Sequence, residues 1–265
     1  MKKLGLGILI GIVVLALSGV AVAISNQGAE KSKAPDLEKI EFIHWKKGFG
    51  KPTCNNNGIC EPELGENASC ADCKTAEEPA PTTCYAFLGK YGKTYLKWTT
   101  LPVSYTINPT NPQYLSEDFV TSAVFNSAET WDAVTSKELM NGYTVDYSAT
   151  YGAQDYENAI AFGDYPTEGV IAVTTVWYNP ATKTIVEFDV MFDTDWTWGD
   201  ATLDSTVMNL QNIATHELGH GVGLGDVYET ACSEVTMYGY SNYGETQKRT
   251  LETPDITGLQ TLYGK

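Results

Sequence analysis

The chain has 265 residues, 43% of them hydrophobic, and a formal net charge of −16 with a sequence pI near 4.5. This length accommodates one folded domain with small additions, and the hydrophobic content is enough for a substantial core. The acidic balance argues against a nucleic acid as partner, because binding to phosphates depends on an excess of Lys and Arg. Charge alone identifies no substrate.

The N-terminal residues have the pattern of an export signal. Two lysines precede an uncharged apolar run over residues 4–24, and Ala-Val-Ala at residues 21–23 supplies a cleavage site before Ser25. The run is also about long enough to span a bilayer, so an uncleaved anchor is the alternative to a signal peptide over residues 1–24. Because the positive charges precede the run, both interpretations place the rest of the chain outside the cytoplasm. We therefore expect a secreted protein, or one held at the outer face of the membrane by residues 4–24.

Residues 25–50 are rich in Lys and Glu, which predicts a polar connector. An apolar patch at residues 41–47 includes His44, one of three histidines in the chain. We expect His44 to lie on the surface. The alternative is that a pro-segment contributes His44 as a ligand to a metal site further along the chain.

Residues 51–74 contain four of the six cysteines and are too few to fold by burying apolar surface alone. In an exported chain we expect two disulfides to stabilise this segment, and a zinc site that uses Cys70-x-x-Cys73 is the alternative. Residues 75–84 are predicted to form a short, stiff linker that contains proline. The even total leaves two cysteines that we expect to pair, tying the start of the next domain to a loop near its end. The candidate disulfide residues are Cys54, Cys60, Cys70, Cys73, Cys84 and Cys232, the last two as one pair.

Residues 85–265 have the pattern of a domain of strands and three helices. Residues 101–108 alternate apolar and polar side chains, as a half-buried strand does. Ser116 is expected to cap the first helix, whose first turn carries Glu117 and Asp118 at its positive end. Further strands are predicted near residues 144–148, 159–163, 169–178 and 184–193.

Two more helices complete this domain in the prediction. Apolar residues recur at helical spacing from about Ser205 to Val222, which predicts the second helix. The third is predicted to begin at Thr253, with Pro254 in its first turn, where a proline costs no hydrogen bond.

The second helix carries the sequence His-Glu-Leu-Gly-His at residues 216–220. Helical spacing puts His216 and His220 one turn apart on the same face, where both imidazoles can bind one metal ion. Glu217, beside the first histidine, can reach a water molecule at the metal and act as a general base. This combination predicts a zinc ion.

The third ligand is predicted to be Asp226. Gly221 and Gly223 let the chain leave the helix and turn sharply, which returns Asp226 toward the metal. No histidine follows His220, so an oxygen ligand has to complete the site, and zinc accepts a carboxylate. One position then stays open for water or substrate. The alternative is a helix with two solvated histidines, which the added Gly223, Asp226 and Met237 argue against.

Residues 216–226, together with Met237 in the segment 233–238, resemble the active site of the metzincin zinc endopeptidases. The tail at residues 253–264 is similar to the closing helix of the matrixin branch, and the resemblance covers roughly residues 85–265. It implies an α+β fold in which a twisted mixed sheet packs on helices, with a zinc helix, a Met-turn and a C-terminal helix. It also implies that Met237 forms a hydrophobic floor beneath the zinc ion.

Two departures from the matrixin pattern affect the predicted metals. Asp226 replaces the usual third histidine, a variant that snapalysin-type metzincins share. Met191 stands where matrixins have a histidine that binds a structural zinc, so we expect one zinc ion in this domain. Asp193 and Asp195 follow in a stretch that resembles the calcium-binding strand of matrixins. The resemblance implies a Ca²⁺ site there, and a solvated acidic loop is the alternative.

The sequence therefore predicts an exported zinc-dependent endopeptidase. Glu217 would act as general base for a zinc-bound water that attacks an internal peptide bond of a protein or peptide substrate, without a covalent acyl-enzyme. One alternative is a non-catalytic exported module in which the metal only stabilises the fold. Another is a peptidase that acts on cell-wall peptides. A latent form in which Cys84 or a cysteine of residues 51–74 blocks the zinc is an alternative to the disulfides. Membrane contact is expected only through residues 4–24.

Overall fold

The computed structural model describes residues 36–50, 83–92 and 94–265, which form a seven-stranded mixed sheet, three α-helices and short strand pairs. The apolar run at residues 4–24 and the cysteines of residues 51–74 lie outside the described residues, and their predictions stay predictions. In the described part of the chain, no helix is both long enough and apolar enough to cross a bilayer.

The strands and helices have the following bounds. The strands are β1 (Glu38–Lys46), β2 (Ala86–Phe87), β3 (Lys90–Tyr91), β4 (Thr94–Tyr95), β5 (Val103–Ile107), β6 (Met140–Val145), β7 (Ala159–Gly163), β8 (Val170–Asn179), β9 (Thr184–Asp193), β10 (Trp198–Gly199), β11 (Met208–Asn209), β12 (Leu224–Gly225) and β13 (Tyr240–Ser241). The helices are α1 (Glu117–Asp132), α2 (Leu210–Gly221) and α3 (Thr253–Tyr263), with 3₁₀ turns at Thr230–Cys232 and Gln247–Arg249.

The main sheet has the strand order β13-β1-β8-β9-β7-β5-β6. β8 and β9 form an antiparallel hairpin, and β9, β7, β5 and β6 continue the sheet with parallel neighbours. Both faces of the β8–β9 hairpin are buried, because the main core covers one face and an apolar cluster around Val173 and Met191 covers the other. The predicted α+β fold, a mixed sheet packed on helices, is confirmed.

Helix α1 begins where the sequence predicts. The Ser116 hydroxyl accepts a 3.2 Å hydrogen bond from the Phe119 amide, and two acidic residues follow at the positive end of the helix. Its buried side packs on α2, where the Trp131 indole donates a 2.8 Å hydrogen bond to the Thr215 carbonyl. This contact fixes α2 against the core from the side opposite the sheet.

Two predicted boundaries differ from the observed ones. The helix predicted from about Ser205 begins at Leu210, because the Asn209 side chain accepts a 2.9 Å hydrogen bond from the Asn212 amide and caps the helix there. The residues just before it form β11 and pair with β10 instead of extending the helix. The strand predicted near residues 144–148 is β6, which begins and ends several residues earlier and pairs in parallel with β5.

Residues 38–46 correct the predicted connector over residues 25–50. They form β1, which pairs antiparallel with β8 along its length and parallel with β13 at its end. A short alternation of apolar side chains is present among the charged residues of this segment. Phe42 packs on the main core, and Trp45 packs on the cluster at the opposite face. The sheet of the domain therefore begins well before residue 85.

The burial of His44 follows from the same strand. Its side chain is 1% exposed, so the predicted surface position was wrong. The predicted pairing of Cys84 with Cys232 is present, with 5.4 Å between the Cα atoms across a separation of 148 residues. It joins the chain just before β2 to the 3₁₀ turn at Thr230–Cys232.

Candidate active site

Helix α2 brings two imidazoles to one buried point. The side chains of His216 and His220 are 0% and 1% exposed. The chain then turns at Gly223, whose φ of +112° is a conformation that other residues rarely adopt, and a Cβ there would lie 2.9 Å from Leu262. Asp226 Oδ1 consequently lies 3.1 Å from His216 Nε2 and 3.5 Å from His220 Nε2. The structure thus brings the three predicted ligands together.

Backbone carbonyls determine which ring nitrogens carry hydrogen. His216 Nδ1 lies 2.7 Å from the Thr236 carbonyl oxygen, and His220 Nδ1 lies 2.9 Å from that of Leu224. A carbonyl only accepts, so each Nδ1 donates a hydrogen, and in the neutral ring Nε2 then presents a lone pair. The pKa of His220 is raised, because the charge of Asp226 outweighs the opposite effect of burial. Burial lowers the pKa of His216 to about 3, which keeps that ring neutral.

The three facing atoms fit a zinc ion. His216 Nε2, His220 Nε2 and Asp226 Oδ1 are buried and have no hydrogen-bond partner. Acceptors that face one another without a hydrogen repel, and a buried unpaired acceptor costs about 1–3 kcal/mol. A cation between them removes both penalties. Tetrahedral zinc with ligands at about 2.0–2.1 Å has edges of roughly 3.3–3.4 Å, which agrees with separations of 3.1 and 3.5 Å.

Tyr228 orients the carboxylate and was missed by sequence reasoning. Its hydroxyl donates a 3.0 Å hydrogen bond to Asp226 Oδ2, which leaves Oδ1 directed at the imidazoles. The tyrosine ring lies over Gly239, where a Cβ would be only 2.3 Å from the ring. Position 239 therefore has to be glycine while Tyr228 holds the carboxylate. The only sequence signal was a tyrosine two residues after the predicted ligand.

Met237 packs against the helix that carries the two histidines, and its role as a floor beneath a zinc ion stays a prediction. It is fully buried, and a Cβ at Gly219, between the histidines on α2, would lie 2.3 Å from its sulfur. The carboxylate of Asp255, in the first turn of α3, accepts hydrogen bonds from the amides of Thr236 (2.9 Å) and Met237 (3.2 Å). Since the Thr236 carbonyl in turn contacts His216, α3 supports the first ligand through this turn.

Glu217 points toward the metal side of α2 and is fully buried. Its Oε2 accepts a 2.6 Å hydrogen bond from the Thr174 hydroxyl on β8, and its Oε1 lies 3.0 Å from His44 Nδ1 on β1. Ligand atoms of His44, His216 and Glu217 lie within 4.8 Å of one another. Burial raises the pKa of Glu217 to about 7. The contact with His44 was not predicted, because it joins residues 173 apart.

A second cluster of possible metal ligands lies at the end of β9. Asp193 and Asp195 come together there with Asp164, which the sequence reasoning missed, and one oxygen of each lies within 4.8 Å of the others. Asp193 is 1% exposed and its Oδ2 has no hydrogen-bond partner. Burial raises the pKa of Asp193 to about 6. The arrangement suits a hard cation with oxygen ligands.

A sequence model of the matrixin family of peptidases matches residues 97–264. Stromelysin-1 of Equus caballus is 31% identical over 186 residues, which are 69% of this chain and 34% of that protein. Hatching enzyme of Paracentrotus lividus is 28% identical over 166 residues, 62% of this chain and 25% of that protein. Matrix metalloproteinase-18 of Xenopus laevis is 26% identical over 245 residues, 90% of this chain and 46% of that protein. The chain thus spans less than half the length of these curated relatives.

Replacement of Tyr228 by Phe should weaken zinc binding about 10- to 100-fold, because Asp226 loses the hydrogen bond that orients it. The affinity can be measured by competition with a chromophoric chelator. Tyr240→Phe is the matched control, since the Tyr240 ring packs edge-on against Tyr228 at 5.4 Å. Equal affinity in the wild type and Tyr228→Phe would remove Tyr228 from this role.

Proposed function

The chain belongs to the matrixin family, and from that membership we propose that it is an exported zinc endopeptidase that hydrolyses internal peptide bonds. The single observation that carries the proposal is the group of three buried, unpartnered acceptors beside Glu217. Export depends on residues 1–24. Secretion and anchoring by residues 4–24 differ in whether the mature protein retains that segment.

His216, His220 and Asp226 are the proposed ligands of one zinc ion. Zinc held there would lower the pKa of a water molecule to about 7 and polarise a substrate carbonyl. The chain contributes two neutral imidazoles and one carboxylate, so the bound metal keeps a net positive charge. The carbonyls of Thr236 and Leu224 hold the imidazoles in the required tautomer.

Glu217 is the proposed general base. It is buried beside the proposed ligands, where a carboxylate can take a proton from water and later deliver it to the leaving amine. The Thr174 hydroxyl orients the carboxylate by donating to Oε2. Oε1 is then the atom that exchanges the proton, once the His44 ring that now contacts it has left.

A protein or peptide substrate is proposed to bind as an added strand. His216 and His220 form the floor of the cleft between β8 and β13, which we call the peptide groove. Both strands offer backbone groups to a chain that lies between them, and β1 makes such pairs. An extended substrate in the same cleft would cross the proposed zinc ligands.

A non-catalytic module stabilised by metal is the second candidate. The position of Glu217 argues against it, because a purely structural site gains nothing from a buried carboxylate beside the open ligand position.

Cleavage profiling with peptides derived from proteins and from cell walls separates the two substrate classes that the sequence left open.

A calcium ion at Asp164, Asp193 and Asp195 is proposed as a second, structural cofactor. The three carboxylates repel without a cation, and the unpartnered Asp193 Oδ2 supplies a buried ligand. The close backbone contact from the Asp195 amide to Asp193 Oδ1, at 3.0 Å, holds the turn in place.

Calcium at 100 times its Kd should raise the free energy of unfolding by about 2.7 kcal/mol. Asp193→Asn should abolish this gain, because it removes the charge from the buried ligand. Chemical denaturation with and without CaCl₂ measures the change, with the exposed Asp118→Asn as control. An unchanged unfolding midpoint of the wild type in calcium would contradict the site.

Glu217→Gln should retain zinc and lose peptide cleavage by about 10²- to 10⁴-fold, because the amide cannot accept the proton from water. Zinc content and cleavage of a quenched fluorescent peptide mixture are measured on the same sample. The exposed Glu157→Gln should retain the full wild-type rate. Cleavage by Glu217→Gln at the wild-type rate would exclude Glu217 as the base.

A further inference from the structure

Strand β1 lies in the peptide groove as a bound peptide would. It pairs antiparallel with β8, from Glu38 opposite Tyr178 to Trp45 opposite Val170, and it pairs parallel with β13. Two of its side chains face the proposed zinc ligands. The Phe42 ring stacks on His220 with 4.1 Å between centroids, and the His44 ring lies 4.0 Å from that of His216. The residues that β1 contacts in the groove are therefore those that a bound substrate would contact.

His44 fills a closed pocket beside Glu217. Its Nδ1 lies 3.0 Å from Glu217 Oε1, and its Nε2 lies 2.9 Å from Ser241 Oγ and 3.2 Å from Lys248 Nζ. Burial lowers the pKa of His44 well below its ordinary value, so the ring is neutral. His44 Nδ1–H donates a hydrogen bond to the Glu217 carboxylate, and His44 Nε2 accepts one from Lys248 Nζ.

Lys248 forms the polar end of this pocket. It is completely buried, its Nζ donates to the Tyr238 carbonyl, and its own amide donates a 2.8 Å hydrogen bond to Asn212 Oδ1 on α2. The 3₁₀ turn at Gln247–Arg249 therefore holds it rigidly. Burial lowers the pKa of Lys248 to about 7, so near neutral pH both the ammonium and the neutral amine are present, and both donate hydrogen bonds through Nζ.

The ammonium of Lys248 has no carboxylate close by. In the described part of the chain no carboxylate oxygen lies within 4.0 Å of it, and the nearby Glu245 pairs with Lys47. The more distant Asp226 and Glu217 also act on its charge. A buried ammonium has three donors to satisfy. Without His44, the donor that faces the pocket would lose its acceptor, so the pocket needs an occupant that accepts a hydrogen bond.

We propose that Lys248 and Ser241 make this a polar specificity pocket, which selects substrates with an acceptor-tipped side chain (Glu, Gln or His) next to the hydrolysed bond. An apolar side chain of similar length, Leu or Met, would leave Lys248 unpaired. A site built to hydrogen-bond one group rejects analogues that lack it more strongly than an apolar pocket rejects an extra group. The inference rests on the proposed function, since it assigns the residue that such an enzyme prefers.

The first test uses the metal-free full chain and needs no catalysis. In the wild-type background, His44→Gln should keep the β1 amides protected from hydrogen exchange, and His44→Leu should lower their protection at least about tenfold. In a Lys248→Met background the order should reverse. Ser241→Ala is a milder second variant that should reduce the preference for Gln, and the exposed Lys137→Met is the control. The same order of protection in both backgrounds would overturn the assignment of Lys248.

The second test measures cleavage by the zinc-loaded protein. Peptides with the sequence of residues 38–46 carry His, Gln, Glu, Leu or Met at the position of His44. The wild type should cleave the acceptor-tipped set at least about tenfold faster, and Lys248→Met should prefer Leu and Met. Cleavage by the wild type with a preference for Leu overturns the pocket. Absence of cleavage of any peptide counts against the proposed function, while the exchange experiment still tests Lys248.

Discussion

Three buried acceptors that face one another without a hydrogen dominate the structure of this domain. While both imidazoles are neutral, they carry their hydrogen on the opposite nitrogen, and His216 Nε2, His220 Nε2 and Asp226 Oδ1 cannot hydrogen-bond to each other. A metal cation bound between them relieves the repulsion, and so does a proton on His220, whose pKa is raised because the charge of Asp226 outweighs the opposite effect of burial. The surrounding elements maintain this arrangement. α3 supports the turn that fixes the first imidazole, the turn at Gly223 returns the carboxylate, and Tyr228 sets its orientation.

The edge of the sheet next to the metal site is a second constraint on the structure. β8 lies against α2, and its outer edge would expose backbone donors and acceptors next to the metal if nothing paired with it. In this chain β1 covers that edge, and its His44 side chain connects the general base to a buried ammonium. One strand thus satisfies the sheet edge, Glu217 and Lys248 together. The same three contacts describe what a substrate has to replace.

The parts of the site that the sequence predicted are local. Ligands four residues apart on one helix, and a carboxylate six residues after them, can be read from spacing because the helix geometry fixes their relation. The absence of a further histidine identified Asp226 as the remaining candidate. Capping at Ser116 was likewise local and was confirmed.

The missed features depend on long-range contacts. β1 escaped prediction because its apolar alternation is short and interrupted by charges, and its partner strand lies more than 120 residues away. His44 was misplaced for the same reason. Lys248 and Asp164 have no local signal, since a lysine or an aspartate is usually solvated. The start of α2 was predicted too early because pairing of β11 with β10 overrides helical spacing.

The zinc content of the purified full chain tests the central claim most directly. After dialysis against trace zinc, elemental analysis should give one zinc ion per chain in the wild type, and Asp226→Ala should lose most of it while remaining folded by circular dichroism. A wild-type chain that stays folded and free of metal under these conditions would contradict the account.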